Sequence, residues 1–287
     1  MSSDTPKDGP DPLIDLSGEN VHWDFRKEMS YGDYLQLNTL LSAQKPLTEH
    51  HDETLFIVIH QASELWIKLC LHEVAAAIRQ IREGDLGLAF KMMARVARVQ
   101  VNLIQSWEIL STMTPFDYSS FRAALGKSSG FQSYQYRMLE FRLGNKNRQM
   151  ARVFESHPEI SRQVQSALNE RSIYDEALAL LARRGFPIPQ EKLERDFSQS
   201  YVADPRVTEA WRLVYHDVEK HWDLYELAEK LVDLEYRFHL WRFSHMKTVE
   251  RIIGSKAGTG GTSGVSYLEK ALSLRFYPEL WDVRTDI

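Results

Sequence analysis

No proline interrupts the chain between Pro205 and Pro278, and apolar residues recur within that stretch every three or four positions: Leu231, Leu234, Phe238, Trp241, Val249 and Ile252. That spacing is one face of an α-helix. The same pattern runs from His51 to a stop at Gly84, through Leu55, Val58, Ile59, Ala62, Leu65, Trp66 and Leu69. It returns from Leu86 to Met113, through Met92, Val96, Val99, Leu103, Trp107 and Leu110. A helix of 25 to 30 residues cannot bury its own stripe, so helices this long must pack on one another. The spacing predicts long helices over about 51–83, 86–113, 206–220 and 221–253, the last two separate or continuous. No stretch alternates convincingly with a period of two. The fold class expected is all-α, a bundle of long antiparallel helices with shorter helices inserted.

The remaining segments are shorter. Residues 1–21 are polar and proline-rich, and read as a flexible leader before a single domain over 22–287. Met29–Ala43 has an aromatic–aliphatic side and reads as a short helix, one that must pack on the body or on a neighbouring subunit. Residues 44–50 form a loop. Phe116–Gly130 reads as a short helix closing in a Ser/Gly loop, and Phe131–Gly144 as an aromatic-rich helix. Residues 147–203 carry Pro158, Gly185, Pro187 and Pro189 between weaker, more charged stripes, as an inserted cap would. A last helix is expected at 264–275.

Composition narrows the function. A net charge of −5 argues against general nucleic-acid binding, which wants a basic field. No uninterrupted apolar run approaches the roughly 18–20 residues of a membrane span, and the N-terminal stretch lacks the apolar centre of a signal peptide. The one cysteine, Cys70, allows no intrachain disulfide and no cluster of thiolate ligands. Together these features point to the cytoplasm.

The chemistry-bearing residues are few. His245 stands in the apolar stripe where a leucine is expected. It is either a core histidine bonded to nearby backbone or a ligand aimed into a cavity. Gly258, Gly260, Gly261 and Gly264 follow in a loop permissive enough to close over a small ligand. His60 lies one turn after Phe56 on the first long helix, again as a core histidine or a site residue. Arg122, four residues after Tyr118, needs an anion, either an acidic side chain or a ligand carboxylate. His50, His51, Asp52 and Glu53 diverge by about 100° per residue and read as a solvated helix start. A di-iron bundle needs Glu-x-x-His pairs, which the long helices lack, and the glycine loop lacks the Gly-Lys-Ser/Thr of a phosphate loop. Two histidines, an arginine and aromatic walls suit a haem held by one histidine.

Four stretches resemble the bacterial tryptophan 2,3-dioxygenases: LFIVIHQASELWIKL (Leu55–Leu69), FRAALGKSSGFQSYQYRMLEFRLGNKN (Phe121–Asn147), LWRFSHMKTVERIIGSKAGTGGTSG (Leu240–Gly264) and FYPELWDVR (Phe276–Arg284). The similarity runs in one order from about Tyr31 to Arg284, with a shorter loop between Pro46 and His51 than some bacterial members have. The resemblance implies an all-α homotetramer, a dimer of dimers, whose helices enclose a haem b pocket. It implies opening of the indole ring of L-tryptophan with O2 to give N-formyl-L-kynurenine. His245 would be the axial ligand of the haem iron, with Trp107, Ser129 and Gly130 at the cofactor. His60 would be the catalytic distal histidine. Phe56, Ile57, Val58, Ile59, His60, Tyr118, Arg122 and Thr259 would contact the substrate, Arg122 through its carboxylate. Tyr31, Tyr34 and Leu35 would reach a neighbouring subunit's site. A relative acting on indole or tryptamine would need neither Arg122 nor Thr259. A non-enzymatic haem sensor would not need a carboxylate-binding arginine beside a glycine loop.

Overall fold

The computed structural model describes residues 18–287, which divide between Lys45 and Pro46 into two units. Among the described residues there is no β-strand. The N-terminal unit holds α1 (Tyr31–Leu35) and α2 (Leu37–Leu41), where the sequence suggested one helix. Gln36 divides them: its left-handed backbone, φ 53°, cannot continue a right-handed helix. Neither helix buries a residue.

The larger unit is built on α3 (His51–Glu83) and α4 (Leu86–Leu110). Gly84 ends α3 in the left-handed conformation, φ 85°, and donates to the Gln80 and Ile81 carbonyls. Asp85 then caps α4 by accepting from Leu88 N–H, so two residues reverse the chain. Next come α5 (Pro115–Arg122), started by a Thr114–Asp117 capping box, and α6 (Tyr134–Leu143). The short α7 (Arg148–Ala151), α8 (Pro158–Asn169), α9 (Ile173–Arg183) and α10 (Gln190–Leu193) follow. The chain closes with α11 (Pro205–His216), α12 (Trp222–Ile253), α13 (Val265–Leu272) and α14 (Pro278–Asp286). Helices α11 and α12 are separate, and α14 lies beyond the last helix expected from sequence.

Helix α4 packs between α3 and α12, while α6 and α9 lie against α3. The main core joins Val74, Ala77 and Ile81 of α3, Met93 and Val96 of α4, Trp211 of α11 and Leu227 and Leu231 of α12. Helix α9 belongs to that core, with every residue from Ile173 to Leu181 buried. It is therefore no peripheral cap. Helix α8 sits outside the core, on α6, in a satellite cluster.

The buried face of α3 also differs from the expected stripe. Val58, Leu65 and Trp66 are 44%, 50% and 36% exposed, whereas Ile59, Ile67, Cys70, Val74 and Ile81 are buried. Apolar residues occupy two sides of this helix, and packing partners choose between them. By length and composition α3 could cross a membrane, contrary to the reading of its sequence. Here it carries two buried carboxylates, each satisfied within the fold: Glu53 by the Leu47 and Thr48 amides, Glu73 by Arg95.

Two buried carboxylates anchor α14. Glu235 accepts from the Phe276 and Tyr277 amides and from Trp281 Nε1, and Glu279 accepts from Tyr174, Tyr201 and the Asp204 amide. Burial pushes both carboxyl groups above their usual range.

Candidate active site

A second hydrophobic cluster lies apart from the main core and is formed by Ile59, Trp107, Leu110, Met113, Phe121 and Ile252. Ile59, Trp107, Leu110, Met113 and Ile252 line a cavity of about 610 Å³ between α3, α4, α5, α6, α12 and α13. The stripe on α12 leads into it: Leu231, Leu234 and Phe238 are core, and Trp241, His245, Val249 and Ile252 line the cavity. Its period thus carries His245 from the helix sequence to the cavity wall.

His245 stacks on Trp107, with ring centroids 4.4 Å apart and planes 11° from parallel, and Trp241 lies at 5.6 Å. No hydrogen bond to either ring nitrogen occurs among the described residues, so the bonded core histidine is not what the fold builds. Burial, with a smaller effect from His60, pushes the imidazole down to about 4. At neutral pH the ring is uncharged and keeps a lone pair. His60 projects into the same cavity from α3. Its Nδ1 lies 2.7 Å from the Phe56 carbonyl, which as an acceptor fixes the proton on Nδ1 and leaves Nε2 as the accepting nitrogen. Burial lowers its pKa, partly offset by that bond and by the charge of Glu64.

These depressed values give a signed prediction. Between pH 6.5 and about 4 the unfolded chain protonates His245 while the folded one does not, so stability falls as pH falls through that window. The apoprotein is expected to lose thermal stability there, and His245→Leu to lose less. Equal losses in circular-dichroism melts of the two proteins would contradict the assignment.

The aromatic wall is continuous. The Phe56 ring is 4.2 Å from His60, 5.9 Å from Tyr118 and 5.6 Å from Phe121. Ile59 lines the cavity, but Ile57 and Val58 do not, because a step of about 100° per residue turns them away. Arg122 lies outside the lining. It is half-exposed and donates to the Ala257 carbonyl at 2.7 Å. The Tyr118 phenol is raised by burial, and the neighbouring Arg122 offsets part of that.

The glycine loop is folded onto this rim. Thr259 donates its hydroxyl to the Ser128 carbonyl, and Gly258 N–H donates to the Thr262 carbonyl. Gly260 rests against Ser129, where an added Cβ would come within 2.6 Å of the serine Cβ. Gly264 needs its φ of 65°, and a Cβ there would meet the Lys256 carbonyl oxygen at 2.5 Å. Ser129, Gly130 and Thr259 all line the cavity. Tyr31, Tyr34 and Leu35 belong to the N-terminal unit and are 75%, 74% and 40% exposed.

Sequence reading missed one wall altogether. Arg137 and Glu140 of α6 and Arg242 of α12 are buried together at the cavity. Glu140 accepts from both arginines, from Tyr136 and from Asn145 Nδ2. Arg242 also donates to the Ala271 carbonyl at 2.9 Å, which ties α13 to α12. Two guanidinium groups against one carboxylate leave this wall with a net positive charge, and Arg137 Nε has no partner. The available signal was spacing: Leu231, Glu235, Phe238, Arg242 and Met246 share one side of α12, so two charges stand at inward positions.

An all-α fold whose apolar cavity holds two neutral histidines on different helices, with a cationic wall, can take up a small ligand or an anionic cofactor. The family model "Tryptophan 2,3-dioxygenase" matches residues 17–166 and 165–287. The chain is 56% identical over 269 residues to the tryptophan 2,3-dioxygenase of Bacillus thuringiensis (strain Al Hakam), covering 94% of this chain and 96% of that protein. It is 57% identical to the enzyme of the same name from Exiguobacterium sibiricum over the same shares, and 55% identical to that of Polaromonas sp., covering 94% and 92%. The chain belongs to the tryptophan 2,3-dioxygenase family.

Proposed function

We propose that His245 is the axial ligand of a haem b iron, ferrous when active, and that Phe56, His60, Tyr118, Arg122 and Thr259 hold L-tryptophan beside it. As a member of its family the chain is a haem-dependent dioxygenase. It inserts both atoms of O2 across the indole C2–C3 bond of L-tryptophan and gives N-formyl-L-kynurenine, the first step of tryptophan degradation by the kynurenine pathway. The observation that carries the residue assignment is His245 itself, an uncharged imidazole without a hydrogen-bond partner on the wall of a large apolar cavity.

The residues present fit the cofactor. His245 offers one nitrogen donor, with its ring plane held by Trp107. The uncompensated charge of Arg137 and Arg242 suits the carboxylates that haem carries. Ser129 and Gly130 border the cavity where Gly260 approaches closely. Haem supplies the activation of O2, which amino-acid side chains do not perform. The protein's part is orientation and exclusion of water. Phe56 offers the indole a flat apolar wall, and His60 Nε2 accepts from the indole N–H. Arg122, with donors to spare beyond its bond to Ala257, reads the carboxylate at the mouth. Thr259 contributes beside it from the loop.

Arg122→Leu is expected to raise KM for L-tryptophan roughly 10- to 100-fold, the worth of a charge-assisted pair. Binding of 3-methylindole, which has no carboxylate, should stay within a factor of about two. Equal losses for both ligands would rule out the carboxylate contact.

The assembly belongs to the same proposal: a homotetramer in which α1 of one subunit completes the site of another. Trp23, Met29, Tyr31, Tyr34 and Leu41 expose 69–75% of their surface in a unit where neither helix buries a residue. Such a segment gains stability only by covering apolar surface elsewhere. We place the enzyme in the cytoplasm. The test of the reaction is to reduce the haem-loaded protein anaerobically, add L-tryptophan, then admit air. N-formylkynurenine absorption in the near ultraviolet is expected, and its absence would refute the reading.

A further inference from the structure

Glu64 follows His60 by one helical turn and lines the same cavity. Its carboxylate is held in place: Gln135 Nε2 of α6 donates to Oε2 at 2.7 Å and to the Glu64 backbone carbonyl at 3.1 Å. The other carboxylate lining the cavity, Glu140, is paired with two arginines. Glu64 is in no ion pair among the described residues. A half-buried, unpaired carboxylate fixed by an amide is costly beside an apolar cavity, and the protein gains from it only if a positive or proton-donating group comes near.

We propose that Glu64, fixed by Gln135, is a positioning residue that strengthens His60 as the acceptor of the substrate's N–H. This rests on the reading of the site given above. The surroundings single out Glu64 for this role. On α5, Arg122 is turned to the Ala257 carbonyl and the Tyr118 phenol is uncharged at neutral pH. On α6 and α12, Arg137, Glu140 and Arg242 are engaged with one another, and Tyr136 is held neutral by burial. On α12, His245 is neutral. Helix α4 brings only apolar residues to this part of the cavity, Trp107 and Leu110, and α13 brings the phenol of Tyr267. Glu64 is left as the negative charge nearest in sequence to His60, on the same helix side. Its field raises the basicity of Nε2 against the opposing effect of burial.

The test is a double-mutant cycle on the haem-loaded enzyme, read as L-tryptophan affinity from the change in the haem absorption spectrum. Glu64→Gln keeps the shape and can still accept from Gln135, but removes the charge. In the parent background it is expected to weaken tryptophan binding roughly threefold to tenfold. In a His60→Ala background the same change should have no effect. The acid limb of the binding profile should also move to lower pH by roughly half a unit to one unit, because a less basic His60 stays neutral further down. Equal losses in both backgrounds, or an acid limb that does not move, would overturn the proposal and leave Glu64 as a tie between α3 and α6. Tight binding with no dependence on Glu64 would overturn it equally. A parent enzyme whose spectrum ignores L-tryptophan would instead refute the site reading, and this inference with it.

Discussion

His245→Ala is expected to yield a folded protein that purifies with less than about a tenth of the parental haem and no measurable dioxygenase activity. The imidazole is uncharged and without a hydrogen-bond partner among the described residues, and it is the histidine that α12 brings to the cavity. Its loss leaves His60 as the remaining imidazole on the wall, and that ring is committed through Nδ1 to the Phe56 carbonyl. Folding should survive, because the substitution enlarges a space that is already open and does not empty the main core. Far-ultraviolet circular dichroism should therefore match the parent while the Soret band is lost. Added imidazole should restore part of the Soret band, since the vacated position is flanked by the Trp107 ring. A variant with full haem content and an unchanged axial spectrum would remove His245 from its role.

The second large effect concerns the buried charges. Arg242→Met is expected to destabilise the apoprotein by about 3–5 kcal/mol, because it strips Glu140 of one cation and leaves the Ala271 carbonyl without its donor. For a body of this size that corresponds to a fall in Tm of roughly 6–20 °C. Glu140→Leu in the same chain should not recover the loss, since it leaves the buried Arg137 guanidinium without its carboxylate. The second change also removes the acceptor of Tyr136 and Asn145. A double variant more stable than Arg242→Met alone would contradict the pairing of Arg137 with Glu140. Working with apoprotein separates this stability effect from any change in haem binding.

Long helices were the legible part of this fold, since a period near 3.6 needs no knowledge of partners. The position of His245 was legible for the same reason: a polar ring at a stripe position on a helix of 32 residues. The burial of α3 was not, because its apolar residues occupy two sides and only α4, α6 and α9 decide which side is covered. Nor could local pattern place α9 in the main core. Its residues Asp175 and Glu176 look solvated in sequence, yet they are buried against Arg195 and Arg82, the latter more than ninety positions away. The cationic wall escaped notice because arginine and glutamate on a helix are normally solvent-facing. The resemblance to a family pointed to single site residues, and it could not say that Arg122 is turned to Ala257 or that Val58 faces outward.

The burial of α9 also bears on the order in which the chain is made. The core faces of α3 and α4 leave the ribosome before α9, and before α12, which closes the bundle on α4. At ordinary elongation rates the wait from α3 to the end of α12 is on the order of ten to thirty seconds. During that interval Val74, Ala77, Ile81, Met93 and Val96 of a two-helix hairpin lack the partners from α9 and α12 that complete their core. Slow codons between α4 and α9 are therefore expected to lower the soluble yield, and a co-expressed holding chaperone to restore part of it.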